Sequence, residues 1–417
     1  MLKKINSSVR GVLVFKIKVP GPAPQRGLPR ARAVRAHSTA CLFGWAAFAC
    51  ALFSVEATLA GASATDDARL KQALQRYPEA DTDKDGVLTE AEARAHLKKL
   101  RSSKAGKSKS ADAKAATSLA GPKPTLAEVP YGPHERNVLD FWKAKSDQPT
   151  PVVIFIHGGG FEFMDKSKAR EGRMLRECLD AGVSYAAINY RYRTSAPIQE
   201  VLRDCARAIQ FIRRQAGEWN VDKTRLAAHG PSAGAGASLW LAFHDDLADP
   251  QSSDPVQRES SRLAAAGAVA CQFSHDLLAW DKLFANSNNR FKEIDDRPGY
   301  YGLKTDEELR GPVGRKIRAD CDMHGLISRD DPPVFLDTGF PGGDITSRGH
   351  LLHHPLHAKA IYDRCRELGV GVVAQIPALK IMPGKDDPHN LQEFLFQHLK
   401  VASATATTKP VKAPTAK

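Results

Sequence analysis

Apolar runs of strand length alternate with amphipathic stretches between residues 125 and 400. The runs are mostly continuous, which is typical of strands buried on both faces of a parallel sheet. They read "NVLDFWKA", "PVVIFIHGGG", "SYAAINYR", "RLAAHG", "AAAGAVACQF", "PPVFLDTG" and "VGVVAQIPA". Apolar residues at helical spacing separate them, and the predicted helices cover about 166–182, 198–217, 233–243, 350–367 and 390–399. This alternation predicts an α/β fold, with a mostly parallel central sheet flanked by helices.

One stretch interrupts the alternation. Residues 275–331 are rich in Asn, Asp and Arg and break the rhythm of strands and helices. A long polar segment inside an otherwise regular α/β domain is typical of a functional insertion. We therefore expect residues 275–331 to form a cap or lid over the site.

The first 64 residues have the pattern of an export signal. A basic stretch ends at Arg35, an apolar run of 16 residues covers Ala40–Val55, and "ASA" at Ala62–Ala64 fits a cleavage site. Because a membrane-spanning helix needs about 20 apolar residues, this run favours a cleaved signal over an uncleaved anchor or a buried helix. We expect a periplasmic or secreted protein without a stable membrane span after cleavage.

Three further regions surround the main domain of residues 125–400. Residues 65–100 have the pattern of a short helical module. Residues 101–124, "RSSKAGKSKSADAKAATSLAGPKP", have the composition of a flexible charged linker. The tail, residues 401–417, has the composition of a disordered segment.

The formal net charge of +13 raises the question of nucleic-acid binding. The positive charge is concentrated in residues 1–37 (+9), 98–118 (+6) and 401–417 (+3), so the rest of the chain carries −5. A nucleic-acid-binding domain carries its basic residues on a folded surface, whereas these segments have signal, linker and tail composition. The charge pattern therefore argues against a nucleic-acid partner.

The cysteines outside the predicted signal are scattered and odd in number. This arrangement indicates neither a disulfide framework nor a zinc cluster. We expect small core residues at Cys178, Cys205, Cys271, Cys321 and Cys365, although one pair could be bridged after export.

The sequence "DTDKDGVLTEAE" in the small module places oxygen ligands at regular spacing. It matches D-x-[DN]-x-[DN]-G-x5-E completely, a pattern in which three carboxylates, a carbonyl and a bidentate Glu surround one calcium ion. With helical stretches on both sides, the segment resembles an EF-hand, and the resemblance implies a bound Ca²⁺ without a catalytic role. The implied ligand positions are Asp81, Asp83, Asp85, Val87 through its carbonyl, Thr89 and Glu92. The alternative is an acidic turn that caps the following helix.

Two glycine-containing motifs follow apolar runs in the main domain. "HGGG", His157–Gly160, ends the run "PVVIFI", and "GPSAG", Gly230–Gly234, comes about 70 residues later, before a helix. Gly-x-Ser-x-Gly holds a nucleophilic serine on a strained strand-to-helix turn, and HGGG presents N–H groups to an oxyanion. Pro231 lies where a strand ends, so its missing N–H costs little. The strained residue is then Ser232 itself; the alternative is a serine that only caps the helix.

Residues 125–400 resemble α/β-hydrolases, in particular the HGGG-containing carboxylesterases and lipases related to hormone-sensitive lipase. The two motifs and "NYRYRTSAP" (Asn189–Pro197) carry the resemblance, which weakens across 275–331. It implies that Ser232 attacks an ester carbonyl and forms an acyl-enzyme. It also implies an oxyanion hole built from the N–H groups of Gly159, Gly160 and Ala233.

The resemblance further implies an acid and then a histidine after the serine. The family's acid follows the seventh strand, where Asp344 lies in the loop after "PPVFLDTG"; Asp337, within the strand, is the alternative. The family's histidine follows a Pro-Gly after the eighth strand, but Asp387 occupies that position and His389 comes two residues later. We expect His389 to be the base, and the alternatives are His353, His354 and His357.

Together these residues favour an exported serine hydrolase that cleaves carboxylic esters, with small-molecule esters, short acyl chains or acetylated carbohydrate as candidate substrates. The displaced histidine leaves an alternative from another class, a calcium-anchored binding or scaffold protein that has lost turnover. A serine peptidase on the same fold is a further alternative. A dehydrogenase is disfavoured because no strand is followed by a G-x-G-x-x-G phosphate loop.

Overall fold

The computed structural model describes residues 78–89, 92, 121–287 and 290–401. The chain divides into two compact units, residues 1–107 and 108–417. The predicted signal, most of the predicted helical module and linker, and nearly all of the tail lie outside the described residues. Across the described ranges, no helix combines the length and apolar character needed to cross a membrane.

The centre of the second unit is a sheet of eight strands. They are β1 (Leu126–Pro130), β2 (Val138–Trp142), β3 (Thr150–Ile156), β4 (Ser184–Ile188), β5 (Val221–Pro231), β6 (Ala265–Val269), β7 (Val334–Asp337) and β8 (Val372–Gln375). Their order in the sheet is β1-β2-β4-β3-β5-β6-β7-β8. β2 pairs antiparallel with β1 and β4, and all other neighbours pair in parallel. The predicted mostly parallel α/β sheet is confirmed.

Helices separate the parallel strands, as the apolar pattern predicts. Those before β6 are α1 (Met174–Asp180), α2 (Ile198–Arg214), α3 (Ala216–Trp219) and α4 (Ala233–Phe243). Those between β6 and β7 are α5 (Leu277–Leu283), α6 (Arg297–Tyr300), α7 (Asp306–Arg310), α8 (Pro312–Asp320) and α9 (Met323–Leu326). Those after β7 are α10 (Arg348–His353), α11 (Pro355–Leu368) and α12 (Leu391–His398). The short helices α5–α9 occupy the segment in which we predict an insertion.

Two apolar layers enclose the sheet, one on each face. In β3, Val152 and Ile154 pack into the larger layer, whereas Val153 packs into the smaller one, as the two-residue period of a strand requires. All three side chains are fully buried, and each such burial contributes about 1.5–3 kcal/mol to folding. Continuous apolar strands therefore hold the sheet between its helices. The five cysteines of the second unit are buried free thiols.

Candidate active site

The predicted nucleophile lies on a strained turn at the carboxyl edge of the sheet. β5 ends at Pro231, α4 begins at Ala233, and Ser232 between them has φ 52° and ψ −117°. A positive φ at a residue with a Cβ is a strained conformation typical of functional sites. The Ser232 N–H donates to the Val269 carbonyl on the neighbouring strand, at 2.9 Å. The strain therefore falls on the serine, as predicted, and the sheet holds it there.

The two glycines of the turn allow the backbones of two elements to touch. A Cβ on Gly230 would lie 2.2 Å from the Ile156 carbonyl oxygen, and one on Gly234 would lie 2.0 Å from the same atom. No side chain fits at such distances. Gly230 and Gly234 therefore let β5 and α4 pack directly against the end of β3, where the HGGG loop begins.

The HGGG loop follows β3 and contacts this turn. A Cβ on Gly158 would lie 2.9 Å from the Pro231 carbonyl oxygen, so the two backbones are in contact. Gly159 and Gly160 have φ of 97° and 60°, values that favour glycine. In the described part of the chain, their N–H groups donate to no backbone carbonyl. The two N–H groups are therefore without a backbone partner in the described residues.

The histidine of the HGGG loop supports the loop rather than titrating in it. His157 stacks on Tyr190 with 4.2 Å between ring centroids, and its Nδ1 lies 2.8 Å from the Gly158 carbonyl. The Tyr190 hydroxyl donates to the His157 carbonyl at 2.7 Å. Burial lowers the pKa of His157 to about 4, so the imidazole is neutral near pH 7. His157 is a fixed support for the glycines that follow it.

Ser232 has a histidine partner within hydrogen-bond distance, and it is His353. The His353 Nε2 atom lies 2.8 Å from the Ser232 Oγ atom. Its other ring nitrogen, Nδ1, lies 2.9 Å from the Gly349 carbonyl oxygen. The ring stacks on Phe340 with 4.9 Å between centroids. Since a carbonyl can only accept, Nδ1 carries the proton and Nε2 is free to accept the serine proton.

Local sequence places His353 at the end of a short helix. Ser347 caps the start of α10 by accepting the His350 N–H at 3.0 Å. Pro355 disfavours helical backbone at the residue before it, and His354 is extended, with φ −60° and ψ 138°. α10 therefore ends at His353. The sequence analysis did not favour the pairing of Ser232 with His353. The only local feature that points to His353 is its position at the helix end that Pro355 predicts.

The expected base, His389, lies in the loop after β8 and has no hydrogen bond to Ser232 in the described structure. The Asp387 side chain accepts the Gly384 N–H at 2.8 Å, which closes a tight turn in this loop. The His389 N–H donates to the Glu393 carboxylate at 2.9 Å. The His389 residue is exposed and lies just before the start of α12. Ser232 therefore pairs with His353, one of the alternatives, and not with His389. The local bonds of the loop explain this correction.

The expected acid, Asp344, makes no hydrogen bond to Ser232 or His353 in the described structure. Asp344 is exposed, and no hydrogen bond joins it to a histidine among the described residues. Asp337, the alternative, ends β7 and is half-buried; burial raises the pKa of its carboxyl group. In the described residues, Asp337 has no ion pair or side-chain hydrogen bond. The contact that Asp344 was expected to make with the base is made by the Gly349 carbonyl instead.

The other alternative histidines bind backbone carbonyls near His353. His354 Nε2 lies 3.0 Å from the Gly343 carbonyl, and His357 Nε2 lies 2.9 Å from the Leu351 carbonyl. His350 Nε2 lies 2.8 Å from the Pro341 carbonyl. The pKa of His357 is lowered to about 3 by burial. These contacts tie the segment to nearby backbone, and within the described residues no hydrogen bond joins His354 or His357 to Ser232.

The acidic loop of the first unit gathers three carboxylates. One oxygen from each of Asp81, Asp83 and Asp85 lies within 4.8 Å of the others. Asp81 accepts the Gly86 N–H at 2.9 Å. Gly86 has φ 81°, which the sharp turn of the loop requires and which glycine adopts without strain. Oxygen ligands at this spacing suit Ca²⁺.

The last acidic position of this loop folds back on two threonines. Glu92 accepts the Thr89 hydroxyl at 2.7 Å and the Thr82 hydroxyl at 2.8 Å, as well as both backbone N–H groups. These hydrogen bonds lower the pKa of Glu92 to about 2, so the carboxylate is charged near pH 7. Glu92 therefore contacts the same short loop that carries the three aspartates, and its carboxylate is negatively charged.

Comparisons with known proteins add the following similarities. Residues 139–295 match the family model BD-FAE. A probable isoprenylcysteine alpha-carbonyl methylesterase of Arabidopsis thaliana is 28% identical over 33% of this chain and 29% of its own length. Esterase LipQ of Mycobacterium tuberculosis is 27% identical over 30% of this chain and 31% of its own. This chain therefore spans about three-tenths of the length of these curated relatives.

A solved structure supports the fold assignment. A truncated form of carbohydrate esterase from gut microbiota superposes with a TM-score of 0.50 and 15% identity, covering 67% of this chain and 97% of that chain. At this identity the likeness concerns the fold alone. Together with the sheet order and the strained serine turn, it places the second unit among proteins of α/β-hydrolase fold.

Proposed function

We propose that this protein is a carboxylic ester hydrolase that uses Ser232 as its nucleophile. The single observation that carries the proposal is the 2.8 Å contact between Ser232 Oγ and His353 Nε2, on a serine with φ 52°. A neutral imidazole at this distance is the arrangement that activates a serine hydroxyl. The similarity to proteins named esterases supports the same class of reaction.

Acylation would begin with proton transfer within this pair. As Ser232 Oγ attacks the ester carbonyl carbon, its proton passes to His353 Nε2 and the carbonyl electron pair moves onto oxygen. The N–H groups of Gly159, Gly160 and Ala233 stabilise the resulting oxyanion. When the bond to the alcohol breaks, His353 Nε2 returns the proton to the leaving oxygen. The products are a free alcohol and an ester between the acyl group and Ser232.

Deacylation would repeat these steps with water. His353 Nε2 accepts a proton from water as its oxygen attacks the acyl carbon, and the same N–H groups stabilise the oxyanion. Collapse of this intermediate releases the carboxylic acid, and the proton on His353 returns to Ser232 Oγ. The cycle consumes one water and leaves both residues in their starting protonation states.

The open surroundings of Ser232 favour esters with a bulky alcohol part. Ser232 is half-buried, Pro231 and Gly160 are exposed, and Phe163 and Met164 expose 44% and 37% of their surface. A nucleophile at an open surface can reach an acyl group carried on a larger molecule. We therefore propose esters of a bulky alcohol part, such as short acyl or acetyl groups on carbohydrate, as substrates. The signal-like pattern in residues 1–64 favours action in the periplasm or outside the cell.

The test is hydrolysis of p-nitrophenyl acetate by the full chain and its Ser232→Ala variant. Loss of the nucleophile should lower kcat by at least about 10³-fold. A matched control is Ser238→Ala, because Ser238 is buried on α4 and donates to the Gly234 carbonyl at 2.8 Å. Equal rates for wild type and Ser232→Ala would overturn the proposal and favour a binding protein without turnover. Acetate release from acetylated xylan then tests the substrate class.

We also propose that the acidic loop of the first unit binds Ca²⁺. The grouped carboxylates, the turn at Gly86 and the charged Glu92 fit an oxygen-rich site for a hard cation. The ligands would be Asp81, Asp83, Asp85, the Val87 carbonyl, the Thr89 position and Glu92. Calorimetric titration with CaCl₂ should detect binding that Asp81→Asn weakens at least about tenfold. The same heat in both proteins would count against this site.

A further inference from the structure

His353 is the base of the proposed reaction, yet no carboxylate touches it within the described residues. Its hydrogen-bond partners are Ser232 Oγ on Nε2 and the Gly349 carbonyl on Nδ1, at 2.8 and 2.9 Å. The ring face is covered by Phe340. A Ser-His-Asp triad would place an acid at Nδ1. Here that position is already taken by the backbone of α10.

We propose that the Gly349 carbonyl replaces the acid, so that Ser232 and His353 act without a catalytic carboxylate. This inference rests on the proposed esterase function. In a triad, the acid fixes the imidazole tautomer and orients the ring. A backbone carbonyl does the same through geometry, because it accepts only from Nδ1–H and leaves Nε2 as the acceptor for the serine proton.

The position of the Gly349 carbonyl on α10 fixes the orientation of the His353 ring. Gly349 and His353 are four residues apart on α10, so both groups belong to one turn of helix. Turning the ring would break its contact with Gly349 and its stacking on Phe340. The two partners of the ring therefore restrict both its tautomer and its plane.

Neighbouring histidines hold the loop that carries Phe340. His350 Nε2 lies 2.8 Å from the Pro341 carbonyl, and His354 Nε2 lies 3.0 Å from the Gly343 carbonyl. Residues 341–343 are thereby tied to α10 and to the start of α11. Phe340 follows as part of the same loop, which keeps its ring against His353.

Three carboxylates near the ends of β7 and β8 are the alternative candidates for a catalytic acid. Asp344 and Asp337 lie in or just before the loop after β7, and Asp387 lies in the loop after β8. None is hydrogen-bonded to a histidine in the described structure. If one of them acts as the acid, its conversion to Asn should lower kcat by about 10⁴-fold, as in a triad.

The experiment measures kcat for p-nitrophenyl acetate with Asp337→Asn, Asp344→Asn and Asp387→Asn, beside Ser232→Ala. We expect each Asn variant to stay within about twofold of wild type, while Ser232→Ala is inactive. A loss of more than about 10²-fold in any Asn variant would overturn the inference but leave the esterase function standing. Activity retained by Ser232→Ala would instead overturn the proposed function.

A second measurement reads the tautomer directly. The ¹⁵N NMR signals of His353, assigned as those missing in His353→Gln, distinguish an Nδ1–H from an Nε2–H imidazole. We expect the neutral Nδ1–H form in wild type and unchanged signals in Asp344→Asn. An Nε2–H form, or a change of tautomer in that variant, would contradict orientation by Gly349. This readout does not depend on turnover.

Discussion

The two halves of the candidate site are built in different ways. The nucleophile half consists of the HGGG loop and the serine turn, and there backbone meets backbone: a Cβ on Gly234 would lie 2.0 Å from the Ile156 carbonyl oxygen. The base half consists of residues 337–357, where imidazole side chains bind carbonyls of nearby loops and helices. Close backbone contact demands glycine at fixed positions and leaves a sequence motif. Contacts between histidine side chains and backbone carbonyls place no such demand and leave no sequence motif.

Two single substitutions, one in α10 and one in the loop after β8, test which histidine serves as the base. His353→Gln should lower kcat by about 10³-fold or more, because Ser232 loses its proton acceptor. His389→Gln should leave kcat within about twofold, since His389 is exposed and its side chain makes no hydrogen bond or ion pair within the described residues. The measurement is p-nitrophenyl acetate hydrolysis, with folding checked by circular dichroism. The opposite ranking would identify His389 as the base and would contradict the role of His353.

A second test concerns the backbone contacts of the nucleophile half. Gly159→Ala places a Cβ 2.1 Å from the Phe163 carbonyl oxygen and strains a φ of 97°, so the loop must move and its N–H donors with it. We expect kcat to fall about 10²-fold, the cost of a lost oxyanion donor.

Gly160→Ala is the matched control for this position. Gly160 also has a positive φ, 60°, but an added Cβ meets nothing within 4 Å. The loop can stay in place, so kcat should fall less than about tenfold. Equal losses in the two variants would mean that positive φ alone, rather than the close approach to Phe163, limits this loop.

The pH dependence of kcat/KM tests the environment of the base. Burial lowers the pKa of His353, and protonation of the imidazole abolishes its capacity to accept the serine proton. Activity should therefore persist below the ordinary histidine pKa and fall only at the lowered value. A histidine of ordinary pKa would leave about a quarter of the activity at pH 6.0, and the lowered pKa of His353 should leave a larger fraction than that. A midpoint above 6.5 would indicate a nearby carboxylate.

The sequence allowed the nucleophile half to be predicted because its determinants are local. An apolar run, a glycine-rich turn and a helix define both the HGGG loop and the elbow around Ser232, and the strained φ of the serine follows from that geometry. The parallel strands were predictable for a similar reason, since burial on both faces produces continuous apolar runs. These features need no knowledge of distant contacts.

The base half could not be predicted in this way. The distance between His353 and Ser232 depends on where α10 ends, and that depends on Ser347 at one end and Pro355 at the other. A run with several histidines, "HLLHHPLH", does not reveal which imidazole reaches the sheet edge. The resemblance to esterases implies a histidine in the loop after β8, but Asp387 and His389 form local contacts there instead.

The acidic loop of residues 81–92 is a third region whose determinants are local, and it gives the smallest expected effect. Its predicted ligands all lie within one short segment, as the elbow glycines do, so spacing alone is enough to predict them. Ca²⁺ is expected to bind there without entering the reaction at Ser232. Removing it with EGTA should change kcat by less than about twofold, while Asp81→Asn should behave the same with or without the chelator. A loss of activity on chelation in wild type, absent in Asp81→Asn, would show that this loop and the hydrolase site are coupled.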